Sequence, residues 1–143
     1  MKNIVAIDVG NSETTVGVGN SSSWRSYRYT TRKTITSDEL FMMFRTTIDN
    51  DSVKNDNLDG SIICSVVPQI TESIVEATER FTSKKVYSVG PGIKTGLKVN
   101  IDNPKELGPD RIANSVGGFK MAQKSAIIVD LGTATTFDVV NEN

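Results

Sequence analysis

The segment Asn3-Ile4-Val5-Ala6-Ile7-Asp8-Val9-Gly10-Asn11-Ser12-Glu13-Thr14 lies without a gap over Ser125-Ala126-Ile127-Ile128-Val129-Asp130-Leu131-Gly132-Thr133-Ala134-Thr135-Thr136. Each copy is an apolar strand followed by Asp-apolar-Gly, a small polar residue and a threonine. Chance likeness between two strand-turn-strand pieces is one reading. Duplication is the reading adopted: two lobes, each opening with an acid at the end of its first strand and a glycine turn after it. The expected division is a first lobe with its connecting helix over 1–124 and the first hairpin of a truncated second lobe over 125–143. A lone hairpin is marginal in water, so that second piece has no sheet of its own to complete.

Between the copies the pattern changes period several times. Asn3–Asp8 and Thr14–Gly19 are apolar runs joined by a glycine-bearing turn, which predicts a hairpin. Ser23–Tyr29 alternates bulky and polar residues and predicts a third antiparallel strand. Ser37-Asp38-Glu39 opens a helical pattern carrying Leu40, Phe41, Met43, Phe44 and Ile48, with Ser37 or Thr36 as N-cap. The stretch Asp49–Asp59 is expected to be a solvated loop. Ser61–Val67 is expected as a buried parallel strand, Pro68 to about Phe81 as a helix, and Lys84–Val89 as a further strand. A proline- and glycine-punctuated loop runs through Pro104. A helix is then expected from Pro109 to about Lys124, with strands over Ala126–Asp130 and Thr135–Val140. This order, β-β-β-α-β-α-β-α, is an antiparallel meander feeding crossover units. It implies an α/β fold, a ribonuclease H-like mixed sheet with packed helices.

Composition removes several chemistries. The chain has no histidine, so His-based triads and His-ligated zinc are excluded. Its single cysteine, Cys64, lies in an apolar run and reads as a buried strand thiol rather than a nucleophile. The formal net charge is −1, which gives no support to a nucleic-acid partner. Asp8 follows only a few apolar residues, unlike a secretory signal or a spanning helix, and a cytoplasmic protein without membrane association is expected. No Gly-x-x-x-x-Gly-Lys-Ser/Thr loop is present, which excludes a P-loop. Gly90-Pro91-Gly92-Ile93-Lys94-Thr95-Gly96 has the wrong spacing for a dinucleotide fingerprint and reads as a glycine-rich surface turn.

What remains suits a nucleoside triphosphate. At a glycine turn the backbone N–H groups approach phosphate oxygens without an intervening β-carbon. Asp8 would hold Mg²⁺, directly or through water, since magnesium takes one or two carboxylates plus phosphates. Gly10, Asn11, Ser12, Glu13, Thr14 and Thr15 would line one side of the phosphate chain, and Gly132, Thr133 and Thr135 the other. Gly108-Pro109-Asp110-Arg111 opens a helix, where the N-terminal field favours an ionised aspartate. A helix-start acid beside a surface arginine is one reading of that pair. The other is a carboxylate that accepts a proton from an attacking hydroxyl and a cation that fixes an anionic substrate.

Three motifs in this order, Asp8-Val9-Gly10-Asn11-Ser12, Gly108-Pro109-Asp110-Arg111-Ile112-Ala113-Asn114 and Asp130-Leu131-Gly132-Thr133-Ala134-Thr135-Thr136, resemble those of the type III pantothenate kinases. Ser65-Val66-Val67-Pro68 and Gly90-Pro91-Gly92 add to the likeness, which covers essentially the whole chain. The resemblance implies a two-lobed, actin-like architecture when full length, in the acetate and sugar kinase, Hsp70 and actin superfamily. It implies ATP-dependent phosphorylation of pantothenate, the first step of coenzyme A biosynthesis, by a homodimer. It further implies ATP contacts from Asp8, Val9, Gly10, Asn11, Ser12, Glu13, Thr14, Thr15 and Thr133. Pantothenate contacts would come from Gly108, Pro109, Asp110 and Arg111, with Asp110 as proton acceptor. Asp130 would bind an activating potassium or ammonium ion.

Ser12 stands where the family usually has threonine, and Pro109 where alanine is common. Ile101 stands where many members carry a substrate-contacting tyrosine, so that contact loses its hydroxyl. Members also have a complete second lobe, so the sequence is expected to be a fragment or a truncated form. Two other readings stay open at this level: a non-catalytic regulatory relative, and a sugar- or acetate-type kinase of the same superfamily.

Overall fold

The computed structural model describes residues 2–48, 58–90 and 92–142, with Lys105 described by its backbone alone. The chain forms two compact units, Met1–Ser88 and Val89–Asn143. The expected division at 124/125 falls inside the second unit.

In the first unit, alternation along β1 (Asn3–Val9) sends Val5, Ile7 and Val9 to one face, where none is more than 2% exposed. Asp8 lies on the other face and is exposed. β1 pairs antiparallel with β2 (Glu13–Gly19), which pairs antiparallel with β3 (Trp24–Thr30). On its other edge β1 pairs parallel with β4 (Leu58–Ser65), and β4 pairs parallel with β5 (Val86–Ser88). The strand order is β3-β2-β1-β4-β5, the mixed ribonuclease H-like sheet expected from the element order.

Helices α1 (Ser37–Ile48) and α2 (Pro68–Thr82) cover the Val5/Ile7/Val9 face with Leu40, Phe44, Ile48, Ile70, Ile74 and Phe81. Phe44 and Phe81 meet edge to face with centroids 6.1 Å apart. Cys64 is buried in β4, as expected. Most of the expected Asp49–Asp59 loop, residues 49–57, lies outside the described residues. Its end is strand, because Leu58 is 2% exposed in the core and a register shift between Asn3 and Ile4 accommodates Asp59. β5 is shorter than expected: the Lys84 amide donates to Thr82 Oγ1 just after α2, and the ladder begins only at Val86, opposite Ser61.

In the second unit, Gly92 and Gly96 adopt φ of +87° and +82°, which suits glycine and the expected surface turn. A single 3₁₀ turn, Pro104–Glu106, precedes α3 (Pro109–Ala122). β6 (Ala126–Leu131) and β7 (Thr135–Val140) form an antiparallel hairpin on which α3 packs.

The start of α1 carries a reciprocal cap. Thr36 Oγ1 accepts from the Glu39 amide at 3.2 Å, and Glu39 Oε2 accepts from the Thr36 amide at 3.0 Å. These Thr36 bonds hold the Glu39 carboxyl below the usual glutamate range. Thr36→Ala should therefore lower stability by about 1 kcal/mol in urea melts. A depressed folded-state pKa gives stability that is present above the unfolded pKa and is lost as pH falls through the folded value. The stability difference between the parent and Glu39→Gln should shrink between about pH 5 and pH 3; a difference constant over that window would contradict the cap's ionic character.

Candidate active site

The strand-end turn of the first unit is built by β1 and β2 and braced from β3. Gly10 N donates to Glu13 O at 3.0 Å, and an added Cβ at Gly10 would meet that same carbonyl at 3.0 Å, so a side chain there would press on the turn. Thr31 holds it from behind: its hydroxyl donates to Gly10 O at 2.7 Å and its amide to Ser12 O at 2.9 Å. Thr14 is 5% exposed and its hydroxyl lies 2.8 Å from that of Thr31, so Thr14 supports the turn. Val9 is wholly buried in the core. Asp8, Asn11, Ser12 and Glu13 are exposed at the tip and Thr15 is half-buried; Glu13 faces Arg28 Nε at 3.5 Å.

The second unit gathers the other candidates on α3 and the hairpin. Pro109 fills the first helical position, where its missing N–H costs nothing, and Gly108 is the N-cap. Asp110 Oδ1 accepts from the Arg111 amide at 2.8 Å. A Cβ at Gly108 would collide with that carboxylate oxygen, so the glycine makes the room in which Asp110 sits. One turn on, Asn114 Nδ2 donates to Asp130 Oδ2 at 2.9 Å. Arg111 reaches across to β7, where Nη2 and Nε donate to Asp138 Oδ1 at 2.6 and 2.9 Å. Those bonds hold the guanidinium above its ordinary range, against a smaller opposing effect of burial. The hairpin turn after Asp130 closes with Gly132 N donating to Ala134 O at 3.2 Å, and leaves Thr133 exposed.

Ile101 is 44% exposed and lines a cavity of about 470 Å³ with Leu97, Val99, Ile112, Phe119 and Asp138. That size fits a small organic ligand. Among the described residues no three acids gather into a metal cage. A strand-end carboxylate such as Asp8 fits a magnesium ion held mainly by phosphates and water, and Asp130 offers a carboxylate oriented by Asn114.

Two groups escaped the sequence reading. Asp138 lies in the run Thr136-Phe137-Asp138-Val139-Val140, where the apolar neighbours suggest Phe137 and Val139 as the inner face. The reverse holds: Asp138 is 8% exposed, Phe137 64% and Val139 76%. The signal was there in Arg111, a cation at a helix start that needs a partner. Asn114 closes the Gly108–Asn114 motif, and its position one helical turn after Arg111 is the clue to its contact with the hairpin.

Comparison with known proteins gives a consistent picture. Residues 4–143 match the family model described as type III pantothenate kinase. A protein of that name from Syntrophotalea carbinolica is 41% identical over 140 residues, covering 96% of this chain and 54% of the relative. Others from Geotalea uraniireducens and Halalkalibacterium halodurans are 41% and 39% identical, each over 97% of this chain and 55% of their own length. The chain thus spans about half the length of the curated relatives it matches. Among solved structures, YeaZ from Pseudomonas aeruginosa aligns over 99% of this chain and 68% of its own, with a TM-score of 0.51 at 10% identity. That likeness concerns the fold alone.

Adjacent glycines on α3 test its docking. An added Cβ at Gly118 would lie 2.5 Å from Ile128 Cγ1, whereas one at Gly117 meets nothing within 4 Å. Gly117→Ala should stabilise by about 0.5–1 kcal/mol through helix propensity. Gly118→Ala should instead destabilise by about 1–3 kcal/mol through overpacking, measured in the same urea melts. Equal effects at both positions would show that α3 does not pack here as described.

Proposed function

The chain belongs to the type III pantothenate kinase family, and from that premise we propose that its gene product transfers the γ-phosphoryl group of ATP to pantothenate, giving 4'-phosphopantothenate for coenzyme A synthesis. The observation that carries the reading is the start of α3, where Asp110 is anchored by a backbone amide beside an arginine held by an acid. Asp110 accepts the proton of the substrate hydroxyl. In a loose phosphoryl-transfer transition state the nucleophile needs little extra charge, so the carboxylate acts largely by alignment and takes the proton late. Arg111 fixes the substrate carboxylate, and Gly108, Pro109 and Ile101 shape the contact around it.

The Asp8–Thr15 turn takes ATP phosphates, with Asn11, Ser12 and Glu13 at its exposed tip and Val9 and Thr14 supporting it. Thr133 adds a hydroxyl to the nucleotide. Magnesium, held by Asp8 with the phosphates, would neutralise their charge; Asp130 would hold a potassium or ammonium ion with an electrostatic role. Among the described residues no helix is long and apolar enough to cross a membrane. The reading includes a cytoplasmic homodimer that binds neither nucleic acid nor membrane.

Asp110→Asn keeps the shape of the side chain and removes its charge. It should lower kcat for pantothenate-dependent ADP release by about 10²–10⁴-fold while the KM for ATP stays near the parent value. Asp8→Asn should differ, weakening use of Mg-ATP as well as turnover. A near-normal kcat in Asp110→Asn would reduce Asp110 to a helix-start acid.

A further inference from the structure

We propose that Asp138 is a positioning residue for substrate binding, holding the Arg111 guanidinium by one edge so that its other edge is presented to the substrate carboxylate. The inference rests on the reading of Arg111 as the cation that fixes that carboxylate. Arg111 donates to one oxygen of Asp138 through Nε and Nη2, at 2.9 and 2.6 Å, and Nη2 also reaches Phe137 O at 3.4 Å. The pair uses Nε and Nη2 and leaves Nη1 outside it. Arg111 keeps 35% side-chain exposure against 9% for Asp138, so the acid is the buried anchor and the arginine the accessible partner.

The arrangement is poorly suited to stability alone. Asp138 Oδ2 is buried and has no hydrogen-bond partner among the described residues. A half-satisfied buried carboxylate is costly, and an apolar pair of similar volume generally does as well or better for folding. Preorganising a flexible arginine, by contrast, removes rotamer freedom before the ligand arrives and fixes the direction of its fork. The register supports this use: Asp138 stands across from Ile128, the side chain that α3 packs against at Gly118, so the anchor sits where the helix and hairpin are most closely joined.

The test is a thermodynamic cycle in the gene product, with steady-state KM for pantothenate as the readout. Asp138→Asn should raise that KM about tenfold or more, leave kcat within about threefold, and leave the KM for ATP unchanged. In an Arg111→Ala background, the same change should add nothing further, because the group it positions is gone. If Arg111→Ala leaves the pantothenate KM unaltered, the substrate role of Arg111 falls, and with it this proposal. If Arg111→Ala raises KM but Asp138→Asn does not, or if the two effects simply add, the positioning role alone is overturned. Should Asp138→Asn not fold, the parent protein decides by NMR: the Arg111 Nε–H should exchange slowly with water, with and without pantothenate. Exchange as fast as in free arginine would overturn the clamp.

Discussion

At Gly118 the backbone of α3 comes so close to Ile128 that a methyl group would not fit, and the candidate groups of the second unit hang on that contact. Arg111, Asn114 and Gly118 are spaced by three and four residues, so they share one helix face. Each touches the hairpin at a different point: Asp138, Asp130 and Ile128. Three contacts along one face fix both the rotation and the advance of the helix. Its first turn, with Gly108 making room for Asp110, is thereby held at a set distance from the glycine turn after Asp130. In the proposed role of Asp110, a carboxylate that meets a hydroxyl within hydrogen-bond reach needs this kind of support, since small misplacements are costly in rate.

The two copies of the repeat show how context decides what a strand buries. In β1 and β2, the pairs Val5 with Val18, Ile7 with Val16 and Val9 with Thr14 form the floor of the first unit's core. In β6 and β7 the corresponding pairs are Ile127 with Val139, Val129 with Phe137 and Leu131 with Thr135. Their large apolar members are 48–79% exposed. The difference is the covering layer: α1 and α2 sit on the first set, whereas α3 packs on the opposite face of the second hairpin, over Ile128, Asp130 and Asp138. Asp130 and Asp138 end up beneath a helix beside Ile128, and the hydrophobic side chains of the other face do not.

That inversion explains why the fold was easier to read from sequence than the site. The apolar runs Asn3–Asp8 and Thr14–Gly19 flanking a glycine turn, the Thr36 cap and Pro68 at a helix start are local signals, and the elements they announce lie where they were expected. Leu58 was hidden by an acidic and asparagine-rich neighbourhood, although one leucine in the core was enough to begin the strand there. The turn residues of the candidate site were visible as motifs. Their division of labour was not: Thr14 bonds to Thr31 and Val9 lies in the core, contacts that depend on β3 and the helices rather than on neighbours in sequence. Asp138 was obscured for the same reason, because its partner lies on another element.

The central proposal is that the start of α3 receives pantothenate and that the glycine turns receive nucleotide phosphates. Backbone amide NMR of the isotope-labelled gene product tests it most directly, with pantothenate and a non-hydrolysable Mg-ATP analogue added in turn. Pantothenate should shift the amides of Gly108, Asp110 and Arg111, and the nucleotide those of Gly10–Thr15, Gly132 and Thr133. Shifts confined to other residues, or none at saturating ligand, would contradict the account.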